Sequence, residues 1–256
     1  TVAAGAAFRG AVAARPGLAH AHLRLGSYYY FMARYEEAAD CYRRVVALTP
    51  SHYEGYNHLG AVLFELEDYD GAQAMFEKSL ALEPTYDAYT NLGSLYFYRH
   101  RYADAVNMFR RSLAIDGDQY AVWGYLGESL YWAPGLRDSS RTAYGEAIRL
   151  ATAQQADNLD DTYLISDLAS YHAHLGQSEQ SLALSAQLEE KEDVIAEVMF
   201  IIADAYEQMG RREKALDWLE RACAADLSLA KIELYPGLRE LRTHPRYRDM
   251  VARRGG

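Results

Sequence analysis

Cysteine, proline and long apolar runs are scarce in this sequence. Only two of its 256 residues are cysteine and only six are proline. Cys41 and Cys223 lie far apart in the chain, so we expect no disulfide between them. There is no run of about 18 apolar residues, which argues against a transmembrane helix. The first residues, Thr1 to Gly5, show neither an initiating methionine nor a signal-peptide pattern, so we expect the chain to be cut from a longer one.

Basic residues are also in deficit. Lysine and arginine number 26 against 36 for aspartate and glutamate, which gives a net charge of −10. Nucleic acids and anionic membranes are bound through basic stripes, so we expect neither as a partner. This charge favours a basic or apolar protein or peptide. We expect a cytoplasmic location, although the cysteine count also allows an extracytoplasmic one.

Motifs of catalysis and cofactor binding are absent as well. The sequence has no glycine-rich phosphate loop, CxxC pair, HExxH or GxSxG element, so we expect neither enzyme activity nor a cofactor. His172 and His174 diverge on a predicted helix, which favours packed or solvated histidines over a metal site. Asp157, Asp160 and Asp161 lack the glycine and closing glutamate of a calcium loop, which favours a solvated linker.

What the sequence does contain is an internal repeat. A Leu-Gly pair recurs at steps of 34, 33 and 34 residues, in Leu25-Gly26, Leu59-Gly60, Leu92-Gly93 and Leu126-Gly127. Downstream of the first three pairs stand an alanine (Ala38, Ala72, Ala105) and then an aromatic residue (Tyr42, Phe76, Phe109). Glycine and alanine allow two helices to approach closely, and the aromatic ring fills the space that is left. Pro50 and Pro84 end the second helix of their units, because proline cannot continue a helix.

This pattern resembles the tetratricopeptide repeat (TPR), whose period is 34 residues. The resemblance implies an all-α solenoid of antiparallel helix pairs wound as a right-handed superhelix, with about six repeats. We place the second helix of a truncated leading repeat at 1–18, regular units at 19–52, 53–85, 86–119 and 120–155 (together 19–155), a linker at 156–161, degenerate units at 162–195 and 196–229 (together 162–229), and a capping segment at 230–256. In the two degenerate units Ala169 and Ala203 replace the glycine.

The segment from Leu234 to Arg254 resembles the ending that follows TPR arrays in bacterial regulators. Its marks are Pro236, Leu238, Leu241-Arg242 and Pro245-Arg246-Tyr247. Such regulators carry a Ser/Thr kinase, a nucleotide cyclase or a winged-helix domain ahead of the repeats. The resemblance therefore implies a bacterial origin and a second reading of function, in which the chain is the sensory or regulatory region of a fused output domain.

In TPR proteins the first helix of each pair lines a concave groove, and the resemblance implies that its positions 2, 5, 9, 12 and 13 point into it. Projected onto this chain, these positions give an aromatic and partly acidic peptide-binding groove. Its candidate residues are Tyr30, Phe31, Asn57, Phe64, Glu65, Thr90, Ser94, Phe97, Tyr98, Glu128, Tyr131 and Trp132. For Tyr30, Phe64, Phe97 and Tyr131, packing inside the array is an equal alternative. Self-association through terminal repeats is also left open.

Two known uses of TPR grooves do not fit the residues. A carboxylate clamp needs lysine and asparagine at set positions of the groove. In this chain those positions hold other residues, which include Leu23, Thr90, Ala61 and Ser94. The asparagine ladder of the sugar-transferase repeats would fall on Arg24, His58, Asn91, Tyr125, Asp167 and Ile201, and only one of these is asparagine.

Overall fold

The computed structural model describes residues 2–156, 158–191 and 193–254. Asp157 of the predicted linker, like Thr1, Glu192, Gly255 and Gly256, lies outside the described residues. Within the described ranges the chain forms α-helices and two single-turn 3₁₀ helices, and no β-strand. The α-helices are α1 Val2–Ala14, α2 Ala19–Phe31, α3 Tyr35–Leu48, α4 Tyr53–Glu65, α5 Tyr69–Leu82, α6 Tyr86–Tyr98, α7 Tyr102–Ile115, α8 Tyr120–Trp132, α9 Arg137–Gln155, α10 Thr162–His174, α11 Ser178–Glu189, α12 Ala196–Gln208, α13 Arg212–Ala224, α14 Leu229–Leu234 and α15 Pro245–Arg254. The 3₁₀ helices are Pro236–Leu238 and Leu241–Thr243.

The helices divide into two compact units. The N-unit comprises residues 1–96 and 107–116, and the C-unit comprises residues 97–106 and 117–256. In the N-unit α1 packs on α2, α2 pairs with α3, α3 contacts α4, and α4 pairs with α5. In the C-unit α8 pairs with α9, α10 with α11 and α12 with α13, while α10 also contacts α9 and α12. The predicted all-α class built from consecutive helix pairs is therefore confirmed.

The repeated glycines of the N-unit lie where a first helix meets the ring of the following second helix. A Cβ atom on Gly60 would lie 2.6 Å from Cε1 of Phe76, and one on Gly93 would lie 2.7 Å from Cε1 of Phe109. Both rings are 1% exposed. Since real Cβ atoms do not approach other atoms this closely, any larger residue must displace a packed ring.

A serine hydroxyl forms a hydrogen bond between neighbouring helices of the N-unit, at the same place in successive repeats. Ser79 Oγ donates to the carbonyl of Tyr53 at 3.1 Å, and Ser112 Oγ donates to the carbonyl of Tyr86 at 3.0 Å. Both serines are fully buried, so the bonds satisfy hydroxyls that would otherwise be costly to bury.

The turns inside the helix pairs contain a residue in the left-handed backbone conformation. Ala33 (φ 53°) and Glu67 (φ 63°) hold this conformation in the N-unit, and Gly176 (φ 74°) and Gly210 (φ 70°) hold it in the C-unit. Glycine adopts a positive φ without a steric penalty, whereas alanine and glutamate do not. The turns at Ala33 and Glu67 therefore carry a local strain that the turns with Gly176 and Gly210 avoid, and His100 (φ 57°) in the C-unit carries the same strain.

The C-terminal segment folds back onto the last helices of the C-unit. Leu238 and Leu241 are fully buried, and Tyr235 is 6% exposed. Arg246 reaches three carboxylates of α13, with its guanidinium nitrogens 2.8 Å from Glu213, 2.9 Å from Asp217 and 3.0 Å from Glu220. These contacts fix the segment that carries Tyr235. No helix in the described ranges is both long and apolar enough to span a membrane.

Candidate functional site

The aromatic groove candidates of the N-unit differ widely in exposure. Phe31 is 87% exposed, whereas Tyr30 is 37% exposed and stands edge-on to Tyr35, with ring centroids 5.7 Å apart. The hydroxyl of Tyr30 donates to Glu65 Oε1 at 3.4 Å, and burial together with this carboxylate raises the pKa of the phenol. Phe64 is half-buried against Tyr69. Phe31 is thus the candidate of the N-unit that offers most apolar surface to a partner.

The polar candidates of the N-unit take part in hydrogen bonds between helices. Asn91 Nδ2 donates to Asn57 Oδ1 at 3.1 Å, and the hydroxyls of Thr90 and Ser112 lie 2.8 Å apart. Ser94 is half-buried. Asn57 and Thr90 therefore help to hold the helices together, whatever else they contact.

The C-unit contains the other five candidates. Phe97 is 5% exposed and packs against Tyr102 and Tyr235, with centroids 5.6 and 6.1 Å apart. Tyr131 lies under the guanidinium of Arg137, at 4.1 Å. Trp132 borders a shallow depression beside His100 and Tyr102. Tyr98 and Glu128 are the two candidates that line a second, more enclosed pocket of this unit.

This pocket, which we call the acid–tyrosine pocket, has a volume of about 220 Å³ and lies wholly in the C-unit. Its wall comes from the end of α6, from the first helices α8, α10 and α12, from α9 and from the C-terminal segment. Carboxyl groups and aromatic rings dominate the lining, which comprises Tyr98, Gly124, Tyr125, Glu128, Tyr144, Tyr163, Asp167, Ser170, Tyr171, Glu197, Phe200, Ile201, Asp204, Lys231 and Tyr235.

Three carboxyl groups of the pocket are held in an environment that disfavours their charge. Burial, together with the nearby Asp204, raises the pKa of Glu128 to about 8. Burial raises the pKa of Asp167 to about 7, against a hydrogen bond from Tyr120 that lowers it. Asp204 is 1% exposed, and burial raises its pKa as well. Such shifts arise where a carboxylate has lost water without gaining a full opposite charge.

Tyr235 joins two of these carboxyl groups. Its hydroxyl contacts Glu128 Oε1, and it lies 3.0 Å from Asp204 Oδ2. A phenol has a single proton to donate. One of the two contacts is therefore satisfied best when a protonated carboxyl donates to the phenol oxygen, which agrees with the raised pKa of Glu128.

The surroundings of Asp204 complete the polar network. Gln208 Nε2 donates to Asp204 Oδ1 at 3.0 Å, and His174 Nε2 lies 3.8 Å from Asp204 Oδ2. His174 Nδ1 donates to the carbonyl of Ser170 at 3.0 Å, and His172 Nδ1 is hydrogen-bonded to Gln177. Within the described residues no three His, Cys, Asp or Glu side chains are grouped so that they could hold a metal ion.

Most of this pocket was not among the groove candidates. Asp167 and Asp204 stand in the degenerate units, Tyr144 stands in the last of the regular units, and Tyr235 stands in the capping segment. The repeat spacing placed Asp167 only in the column of the asparagine ladder, and nothing in the sequence showed that its carboxyl group would be buried. Tyr144 lies against Gly127 as Phe76 lies against Gly60, a position that indicates packing rather than contact with a ligand.

Comparison with known sequences identifies the repeat. Family models of the tetratricopeptide repeat match residues 19–52, 53–118 and 196–228, which together make up more than half of the chain. No curated protein matches the sequence.

Solved structures show the same fold. A tetratricopeptide repeat protein from Parabacteroides merdae ATCC 43184 superposes with a TM-score of 0.59 at 16% identity, covering 93% of this chain and 92% of that one. MamA gives a TM-score of 0.54 at 22% identity, covering 59% of this chain and 89% of MamA. YrrB, described as a TPR protein with an unusual peptide-binding site, gives 0.51 at 16% identity, covering 82% of this chain and 96% of YrrB.

The helix pairs, the repeated glycine–aromatic contacts and these matches define an all-α repeat protein. The chain belongs to the tetratricopeptide-repeat family. It is a protein-interaction scaffold, and its fold is typically a non-catalytic one.

Proposed function

We propose that the chain binds a protein or peptide through aromatic and acidic side chains presented by its first helices, as part of a larger bacterial protein located in the cytoplasm. The observation that carries the proposal is the acid–tyrosine pocket, which is lined by α8, α10 and α12 together with Tyr98. Pockets lined by aromatic rings with a few convergent polar groups are the usual form of a binding site. The net charge of −10 favours a basic partner, and the exposed ring of Phe31 favours apolar contacts.

The proposal is tested by alanine at Tyr98 and Trp132 together. Aromatic side chains are frequent anchors at interfaces because they bury a large area with few rotatable bonds. We expect the double variant to bind its partner at least about tenfold more weakly than the wild type, since anchor truncation typically costs about 2 kcal/mol or more. The partner is first captured from a lysate of the source cells and identified by mass spectrometry, and its affinity is then measured by titration calorimetry.

The matched control is alanine at Leu82 and Ile115, two apolar side chains that are 37% and 51% exposed and belong to second helices. This control should leave the affinity unchanged. Equal affinity of the wild type and the Tyr98/Trp132 variant would refute the assignment of these side chains to the binding surface.

The second candidate function is the sensory or regulatory region of a fused kinase, cyclase or winged-helix regulator. It is favoured by the contact of Tyr235, which belongs to the regulator-like ending, with Glu128 and Asp204 of the pocket. A ligand in the pocket would therefore also act on this ending. The sequence upstream of Thr1 in the full-length protein discriminates between the two functions: an output domain there supports regulation, and further repeats support an independent scaffold.

A further inference from the structure

Lys231 is the basic side chain on the wall of the acid–tyrosine pocket, but the three buried carboxyl groups are bonded to neutral side chains. Glu128 is bonded to the phenol of Tyr235, Asp167 to the phenol of Tyr120, and Asp204 to Tyr235 and Gln208. Within the described part of the chain none of these three carboxyl groups pairs with lysine or arginine. Because these buried carboxyl groups have no such partner, their ionised forms are disfavoured, and a bound cation would stabilise them.

A second, independent observation is the hydroxyl of Tyr144, which also lines the pocket. Tyr144 is 1% exposed, and its hydroxyl has no hydrogen-bond partner among the described residues. A buried hydroxyl without a partner is uncommon, because it has lost its bonds to water and gained none.

Packing does not explain this hydroxyl. Tyr144 lies against Gly127 as Phe76 lies against Gly60 in the N-unit, where phenylalanine fills the same space. At another equivalent position, the hydroxyl of Tyr42 lies 3.2 Å from Ser27 Oγ and donates to it. Tyr144 thus carries a polar atom that this packing position does not require, in a residue that lines the pocket.

The size and the lining of the pocket restrict the ligand. Its volume of about 220 Å³ is below the roughly 300–1,000 Å³ of sites for whole small molecules. The carboxyl groups are spread around the wall and, within the described residues, are not grouped as metal ligands. Six tyrosines and Phe200 supply the aromatic faces, which attract organic cations. A single ammonium or guanidinium group on an alkyl stem fits these features.

We infer that the acid–tyrosine pocket binds the cationic end of a lysine or arginine side chain presented by a polypeptide partner, with Glu128, Asp167 and Asp204 as its counter-charges and Tyr144 as a hydrogen-bond acceptor. The inference rests on the proposed function, since it takes the ligand to belong to a polypeptide. It adds the chemical group that is recognised and the residues that recognise it.

The experiment uses the full chain and small probes of known chemistry. Binding of Nα-acetyl-lysine N-methylamide and Nα-acetyl-arginine N-methylamide is followed by two-dimensional NMR, with the norleucine analogue as an uncharged control of similar shape. We expect at least one cationic probe to bind with a millimolar Kd and to do so about tenfold or more tightly than norleucine, because the charge-assisted bonds are lost with the charge.

Two variants identify the groups that bind. Tyr144→Phe removes only the unpartnered hydroxyl, and Glu128→Gln replaces, at nearly constant shape, a carboxyl group that can ionise beside a bound cation with an amide that cannot. Each should weaken binding of the cationic probe about threefold or more, while the melting temperature of Tyr144→Phe stays equal to or above that of the wild type. Glu179→Gln, at an exposed carboxylate of α11 outside the pocket, is the matched control and should bind as the wild type does.

Several results would overturn the inference. Equal binding of norleucine would show an apolar pocket, and tight binding of Ca²⁺ or Mg²⁺ with no response to the cationic probes would show a metal site. Tighter binding of free lysine or butylamine than of the blocked residues would show a metabolite site. If no probe binds while the wild type captures a polypeptide and the Tyr98/Trp132 variant does not, the scaffold function stands and the pocket assignment fails.

Discussion

Two glycine-to-alanine substitutions should change the free energy of unfolding by different amounts, although both lie in the middle of a helix. Gly60 in α4 faces the ring of Phe76, and an added Cβ atom would meet Cε1 at 2.6 Å and Cδ1 at 2.7 Å. Gly145 in α9 has no atom within 4 Å of the position where its Cβ would stand. Both substitutions gain the same helix propensity, about 1 kcal/mol for alanine over glycine.

The difference between the two variants therefore isolates the cost of overpacking. Inserting a carbon atom into a close-packed interior costs about 1–3 kcal/mol. We expect Gly145→Ala to stabilise the protein by up to about 1 kcal/mol, and Gly60→Ala to be less stable than Gly145→Ala by about 1–3 kcal/mol. Urea unfolding followed by circular dichroism measures both changes.

Hydrogen exchange locates the damage. Because repeats are coupled to their neighbours, protection should fall most in α4 and α5 of the Gly60→Ala variant. Equal changes in unfolding free energy for the two variants would refute the close approach of α4 and the ring of Phe76. Protection lost evenly along the whole chain would count against nearest-neighbour coupling.

Two further predictions follow from the turns and from the pocket. Ala33→Gly should stabilise the protein by about 1 kcal/mol in urea unfolding, because glycine removes the left-handed penalty at φ 53°; an unchanged or lowered stability would contradict this conformation. Burial raises the pKa of Glu128 in the folded protein from its ordinary value of 4.5 to about 8, so its protonated form favours folding. Its contribution is therefore full below about pH 4.5 and is lost as the pH rises to about 8. Unfolding free energies of the wild type should fall more steeply than those of Glu128→Gln across this window, and parallel pH profiles would show that Glu128 is not buried in this way.

The helix pairs could be predicted from the sequence because their determinants are local. Gly60, Ala72 and Phe76 lie within one repeat, and the register that brings them together is fixed by a helix, a turn and a second helix. The period of the repeat then extends the prediction along the chain. The repetition of this register along the chain was enough to predict the fold class.

The acid–tyrosine pocket could not be predicted in the same way, because its properties depend on contacts between distant segments. Glu128 and Tyr235 are 107 residues apart in sequence. Burial raises the pKa of Asp167, and the spacing of residues along the sequence does not reveal burial. For Phe97 the repeat position left groove exposure and packing inside the array equally open, and Tyr235 and Tyr102 cover the ring in this structure. Whether the groove candidates of the N-unit contact a partner remains a prediction.

The contact of Tyr235 with Glu128 and Asp204 bears on how fragments of this protein should be prepared. A fragment trimmed at residue 229, the end of the last predicted repeat, would keep every complete helix pair. It would nevertheless lose Lys231 and Tyr235, and with them part of the pocket wall and the phenol that bonds two carboxyl groups. Affinities measured on such a fragment would describe a more open and more acidic pocket than that of the intact chain. The repeats and their C-terminal segment are therefore best expressed and assayed together.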